Sequence, residues 1–203
     1  MRYLSLAFLA LISLFSSLPV LAINYGSGTY GTCTYDYCSI SLTSTGTVDI
    51  SVTPTSGGSC SIASDKVTVD TYDSNGFTLT LSNSYSSNSL NNAADNTQSI
   101  PAISSASLAN PAPLTANAWG YRVDGSGGFG PTTTIPLSNV SPPSTLFAPT
   151  PALGGTPDQI RTTAVVAHPA VDTLVWYGVC ANTNNLKSGS YTSGITYTAV
   201  TNG

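Results

Sequence analysis

The chain contains no glutamate, a single methionine at its start and a single histidine, and charged residues make up only 7% of its 203 positions. That charge fraction is far below the usual quarter. A nucleic-acid partner is excluded first, because phosphate binding needs clustered Lys and Arg to displace counterions. Arg2 aside, the cations are Lys66, Arg122, Arg161 and Lys187, scattered among nine aspartates. Acid-base chemistry has little to draw on, and no G-x-S-x-G elbow is there to offer a nucleophile to His168. No helical period with caps is found beyond the first twenty-odd residues, and no later stretch reaches the eighteen apolar residues of a membrane span.

What is present begins with a leader. Met1, Arg2 and Tyr3 give a short positive start, Leu4 to Leu18 is apolar, and Pro19-Val20-Leu21-Ala22 ends in small-residue cleavage chemistry. Residues 1–22 therefore read as an export signal and 23–203 as one β-sandwich domain. The apolar run is short for a membrane anchor, and no cysteine stands at the cleavage point for lipid attachment. An extracellular location, secreted or associated with the cell surface, is expected, with no membrane span after signal removal.

Four cysteines in an exported chain read as disulfides. Four cysteines allow three connectivities; Cys33 and Cys38 enclose four residues and can close locally, Cys60 and Cys180 lie in strand-like runs far apart, and Cys33–Cys38 with Cys60–Cys180 is the expected pairing. Zinc is not expected, since paired C-x₂-C knuckles and a second histidine are missing.

Thr, Ser, Val and Ile alternate in short runs, which is strand patterning. Ile40 and Leu42 share one face, as do Val48, Ile50 and Val52 before Pro54 ends the run. Val67, Val69 and Thr71 lead into Asp73-Ser74-Asn75-Gly76, and Phe77, Leu79 and Leu81 follow, which predicts a hairpin. Residues 82–113 read as a long loop with a short edge strand near Ile100–Ile103. Trp119, Tyr121 and Val123 resume a strand with Arg122 on its other face. Prolines recur from Pro131 to Pro157 and favour edges and loops. Residues 160–166, 173–181 and 190–200 close the sheets. The predicted fold class is all-β, an antiparallel sandwich of immunoglobulin-like or jelly-roll-like type with long loops.

Ile23-Asn24-Tyr25-Gly26, Gly76 to Leu81, Trp119 to Asp124, Trp176-Tyr177-Gly178-Val179 and Gly189 to Ala199 together carry a resemblance. The chain resembles an uncharacterised family of secreted surface β-proteins in small-genome candidate-phyla bacteria. Its last strand is also similar to the close of WxL-type cell-wall-binding domains, although the Trp-x-Leu motifs themselves are missing. These resemblances imply architecture and location, and no functional residue comes across from them.

Candidate sites follow from residue type. Trp119 and Trp176 are expected to face each other across the sheets; with Tyr121, Tyr35 and Tyr37 they are also the aromatics available for binding a glycan or protein. Asp65, Asp70, Asp73 and Asp124 are the carboxylates a glycosidase would need. Asp36, Asp73, Asp124 and Asp158 sit in polar loops where extracellular calcium could be held, but no EF-hand spacing is present, and no metal or cofactor is expected. Lys66 beside Asp65 invites comparison with crosslinked adhesins, which require a buried lysine; a solvated lysine is the expectation. The expected function is a structural or adhesive surface module without catalysis. A carbohydrate- or wall-binding module and a pilin-like assembling subunit are the alternatives, with a cell-wall or host-surface glycan or protein as partner.

Overall fold

The computed structural model describes residues 39–183 and 186–203, together with the backbone of two short strands upstream. In chain order the strands are β1 (Thr29–Tyr30), β2 (Cys33–Thr34), β3 (Ile40–Ser44), β4 (Ser59–Thr71), β5 (Phe77–Asn83), β6 (Leu90–Asn92), β7 (Ser99–Ile100), β8 (Ala112–Pro113), β9 (Ala118–Arg122), β10 (Leu137–Val140), β11 (Leu146–Phe147), β12 (Asp158–Thr162), β13 (Ala167–Ala181), β14 (Tyr191–Thr192) and β15 (Ile195–Thr201). Every pairing between these strands is antiparallel. The protein is all-β. The leader at 1–22, the side chains of Tyr35 and Tyr37, and the expected Cys33–Cys38 bridge lie outside the described residues.

The first sheet runs β10-β4-β13-β9, and β3 shares with β10 the outer edge of β4. The second runs β12-β5-β15. A small sheet, β14-β6-β7, lies further along the same chain segments, since β5 leads to β6 and β14 leads to β15. Period-two alternation sends Val67 and Val69 of β4, Val175 and Tyr177 of β13, and Phe77, Leu79 and Leu81 of β5 into one shared core. Each such buried aliphatic or aromatic side chain is worth about 1.5–3 kcal/mol relative to exposure.

The first sheet is buried on its other face too. Cys60, Ile62, Ala118, Trp176 and Cys180 pack there beneath Ile103, Leu114 and Phe147, which the connecting segments fold back over the strands. Gly120 and Gly178 are register partners on this face. A Cβ added at Gly178 would lie 2.6 Å from Phe147 Cζ and 2.7 Å from Leu114 Cδ1. The missing side chain is what lets Phe147 sit on the backbone. Gly178→Ala is expected to cost about 1–3 kcal/mol through overpacking, read as a lowered midpoint in urea unfolding; an unchanged midpoint would show that Phe147 yields freely.

Several expectations are corrected. Residues 71–77 do form a tight turn, with the Gly76 amide on Asp73 O and the Asn75 amide on Asp73 Oδ1. Its two arms do not form a hairpin: β4 belongs to the first sheet and β5 to the second, so the turn is a corner between layers. Alternating patterns fix which side chains face inward, and they do not say which strand accepts the ladder. Residues 47–53 keep their inward Val48, Ile50 and Val52 but pair with no strand among the described residues. Trp119 and Trp176 do not face one another. They lie on adjacent strands of one sheet with opposite parity, so Trp119 enters the inter-sheet core and Trp176 the outer cluster. The span 82–113 carries three short strands, not one. The proline-rich span holds β10 and β11 at sheet edges, as expected.

Candidate functional site: an inter-sheet cleft

A cavity of about 910 Å³ lies between the layers, toward the end of the sandwich where β13 finishes and β15 begins. The segment 46–54 lines it with Val48, Ile50 and Val52. Ile195 and Tyr197 of β15 line it too, as does Tyr191. Leu90 and Ile100 of the small sheet and Trp119 also reach it. Its size falls at the upper end of ordinary ligand pockets, and its lining of apolar side chains with a few polar groups is typical of them.

Polar groups converge on the cavity from both layers. Asp65 follows the parity of Val67 and Val69, so a carboxylate points inward from β4 and is almost wholly buried. Its Oδ1 accepts from the Thr45 amide at 2.9 Å and the Thr45 hydroxyl at 2.5 Å. The hydroxyls of Tyr177 and Tyr197 meet across the sheets at 2.6 Å. Burial pushes both phenols well above their ordinary range; for Tyr197 the neighbouring Tyr177 hydroxyl and Asp65 add to it. Burial thus disfavours the phenolate form of each, and the neutral hydroxyls can donate and accept hydrogen bonds.

At the rim, Lys187 Nζ meets Asp95 Oδ2 at 2.6 Å. Hydrogen bonds from Lys187 and from the hydroxyl and amide of Thr97 hold the Asp95 carboxyl down at about 2. The pair joins residues 186–190 to the turn after β6.

The other candidates are dispersed. Trp119, Tyr121 and Trp176 are 2%, 0% and 6% exposed, so none offers an open stacking face. Of the three, only Trp119 touches the cleft, with its Nε1 donating to Asn88 O. Tyr121 donates to Asp158 Oδ2 at 2.6 Å and so ties β9 to β12 across the layers. Asp73 caps the corner turn, and Asp124 binds Arg122 and Thr134. Asp36 lies outside the described residues. Among the described residues no three His, Cys, Asp or Glu side chains gather as metal ligands. His168 stands exposed between Asp70 Oδ1 at 2.9 Å and the Tyr72 hydroxyl at 2.8 Å, apart from the cleft residues. Lys66 is half-exposed and pairs with Asp172 at 3.3 Å, so it is not the buried lysine that an internal crosslink requires.

Cys60 and Cys180 are register partners on β4 and β13 and are joined by a disulfide. Among the described residues no helix is long and apolar enough to cross a membrane. No family model, curated protein or solved structure matches the chain.

Proposed function

We propose that the chain is an extracellular structural or adhesive module of the cell surface that acts by recognition, with the inter-sheet cleft as its binding element. The observation that carries this reading is the cleft's chemistry. Apolar walls supply contact area, while neutral tyrosine hydroxyls and an already hydrogen-bonded carboxylate supply directional contacts without a reactive group. A layered scaffold with a buried disulfide and few charges suits exposure to variable salt, because little of its stability is open to screening. The resemblance to secreted surface proteins points the same way.

Ile50→Trp fills the cleft from the wall formed by residues 46–54 without touching either sheet ladder. Retention on whole cells or isolated wall material is expected to fall about tenfold, equivalent to about 1.4 kcal/mol, with circular dichroism unchanged. Equal retention of the variant and the parent chain, or no retention of either, overturns the reading.

A further inference from the structure

Asp65 is 3% exposed and lines the cleft, and both groups that donate to its Oδ1, the amide and the hydroxyl of Thr45, are neutral. Aspartate is almost never this buried without a cation or a metal beside it. The chain has five Lys and Arg in all, so its own supply of partners can be checked one by one. Lys66 pairs with Asp172, Arg122 with Asp124 and Lys187 with Asp95. Arg161 bonds to Asp172 O and to Thr173 Oγ1, and His168 bonds to Asp70. The fifth, Arg2, belongs to the stretch that reads as an export signal. Among the described residues, then, no cation is committed to Asp65.

The rest of the lining says what kind of ligand supplies one. Its charged side chains are Asp49, Asp65 and Lys187, and Asp95 neutralises Lys187 at 2.6 Å, so the balance around the cavity is negative. An anion would meet like charge there. A neutral ligand would strip the remaining water from the Asp65 carboxylate and return no charge, which is the costly way to cover a buried ion. Trp119, Tyr177, Tyr191 and Tyr197 line the same cavity. Aromatic rings attract an ammonium through their faces and also pack its carbon chain. Beyond burial, the Asp65 charge also pushes up the Tyr177 and Tyr197 phenols, which sets the carboxylate near both hydroxyls. A primary ammonium brings three donors. One carboxylate and two hydroxyl oxygens can accept them.

We infer that the cleft binds a primary ammonium group carried on an apolar body and displayed by the surface to which the module adheres, with Asp65 as its counter-ion and the Tyr177 and Tyr197 hydroxyl oxygens as further acceptors. This rests on reading the cleft as the binding element. The apolar lining from Val48, Ile50, Val52 and Ile195 then holds the body of the ligand, and the charge selects it.

The test is an NMR titration of the full chain with three probes of one shape, hexylammonium, hexanol and hexanoate. Hexylammonium is expected to bind about tenfold more tightly than hexanol, with shifts at the amides of Asp65, Tyr177 and Tyr197, and hexanoate to leave those amides unmoved. Asp65→Asn keeps an oxygen for Thr45 and should bring hexylammonium down to the level of hexanol. Equal affinity for ammonium and alcohol in the parent chain, or ammonium shifts confined to exposed aspartates, would overturn the inference even if the variant failed to fold. Acetylating the amines of the wall material or cells should abolish retention of the parent chain, and retention that survives acetylation counts against the inference as well. Retention that falls with Ile50→Trp while the three probes bind alike leaves the cleft as the binding element and sinks the ammonium. Retention indifferent to Ile50→Trp sinks the underlying reading itself.

Discussion

Replacing Cys60 and Cys180 together by alanine is expected to remove about 4.7 kcal/mol of folding stability, which is of the order of half the total for a domain of this size. The bridge closes a separation of 120 residues. In the chain-entropy treatment the constraint acts on the unfolded chain, and it grows with the logarithm of loop length. The native state loses less, because the β4–β13 ladder already holds positions 60 and 180 opposite one another. Both cysteines are fully buried in the outer cluster beside Ile62 and Ala118, so removing their sulfurs also opens a small void. Guanidinium unfolding of the double variant against the oxidised parent reads the effect directly. A loss below about 1 kcal/mol would mean that the unfolded chain is already compact enough to bring the two segments together.

The same bridge shows how far the sequence can be read. Cys60–Cys180 is the pairing expected among three from cysteine spacing and the short Cys33–Cys38 loop, and the structure has it; strand periodicity finds the inward faces of β3, β4, β5 and β9. Periodicity is a property of one segment, whereas pairing depends on which segments meet. For that reason it places Val48, Ile50 and Val52 inward correctly but also implies a sheet neighbour that the described residues do not supply. The corner at Asp73–Gly76 reads as a hairpin for a related cause: an Asn-Gly turn reverses the chain equally well within a sheet or between two. The cleft is barely legible. Its polar groups come from Asp65, Tyr177 and Tyr197, three residues on three strands, each ordinary in its own run. The one local signal is an aspartate in the inward parity of Val67 and Val69, since a carboxylate is seldom buried without partners.

Arg122 is the other place where one residue carries a large effect, and Arg122→Met is expected to cost about 3 kcal/mol at neutral pH, the low end for breaking a buried ion pair. The guanidinium is 3% exposed. Its Nε donates to Asp124 Oδ1 and to Thr134 Oγ1, each at 2.6 Å, and Nη2 donates to Thr132 O at 2.9 Å. The ring of Phe129 lies 5.5 Å from its Cζ. Methionine fills much of the volume but leaves the Asp124 charge with only Thr134 as partner, and the carboxylate's residual quarter exposure limits the penalty. Burial alone would push the Asp124 carboxyl up; the amide and hydroxyl of Thr134 and the Arg122 guanidinium outweigh it and hold it below the ordinary range. A depressed folded value means that the stabilisation is present above the unfolded pKa of about 3.9 and is lost as pH falls through the lower folded value. In the variant the carboxyl protonates more readily, and protonation relieves the unpaired charge. Thermal melts at pH 7 and pH 3 should therefore show the gap between parent and variant narrowing in acid. Adding Asp124→Asn to Arg122→Met should recover part of the loss at pH 7, because the amide needs no counter-ion. A gap that stays constant with pH, with no recovery in the double variant, would place the cost in packing against Phe129 and not in the ion pair.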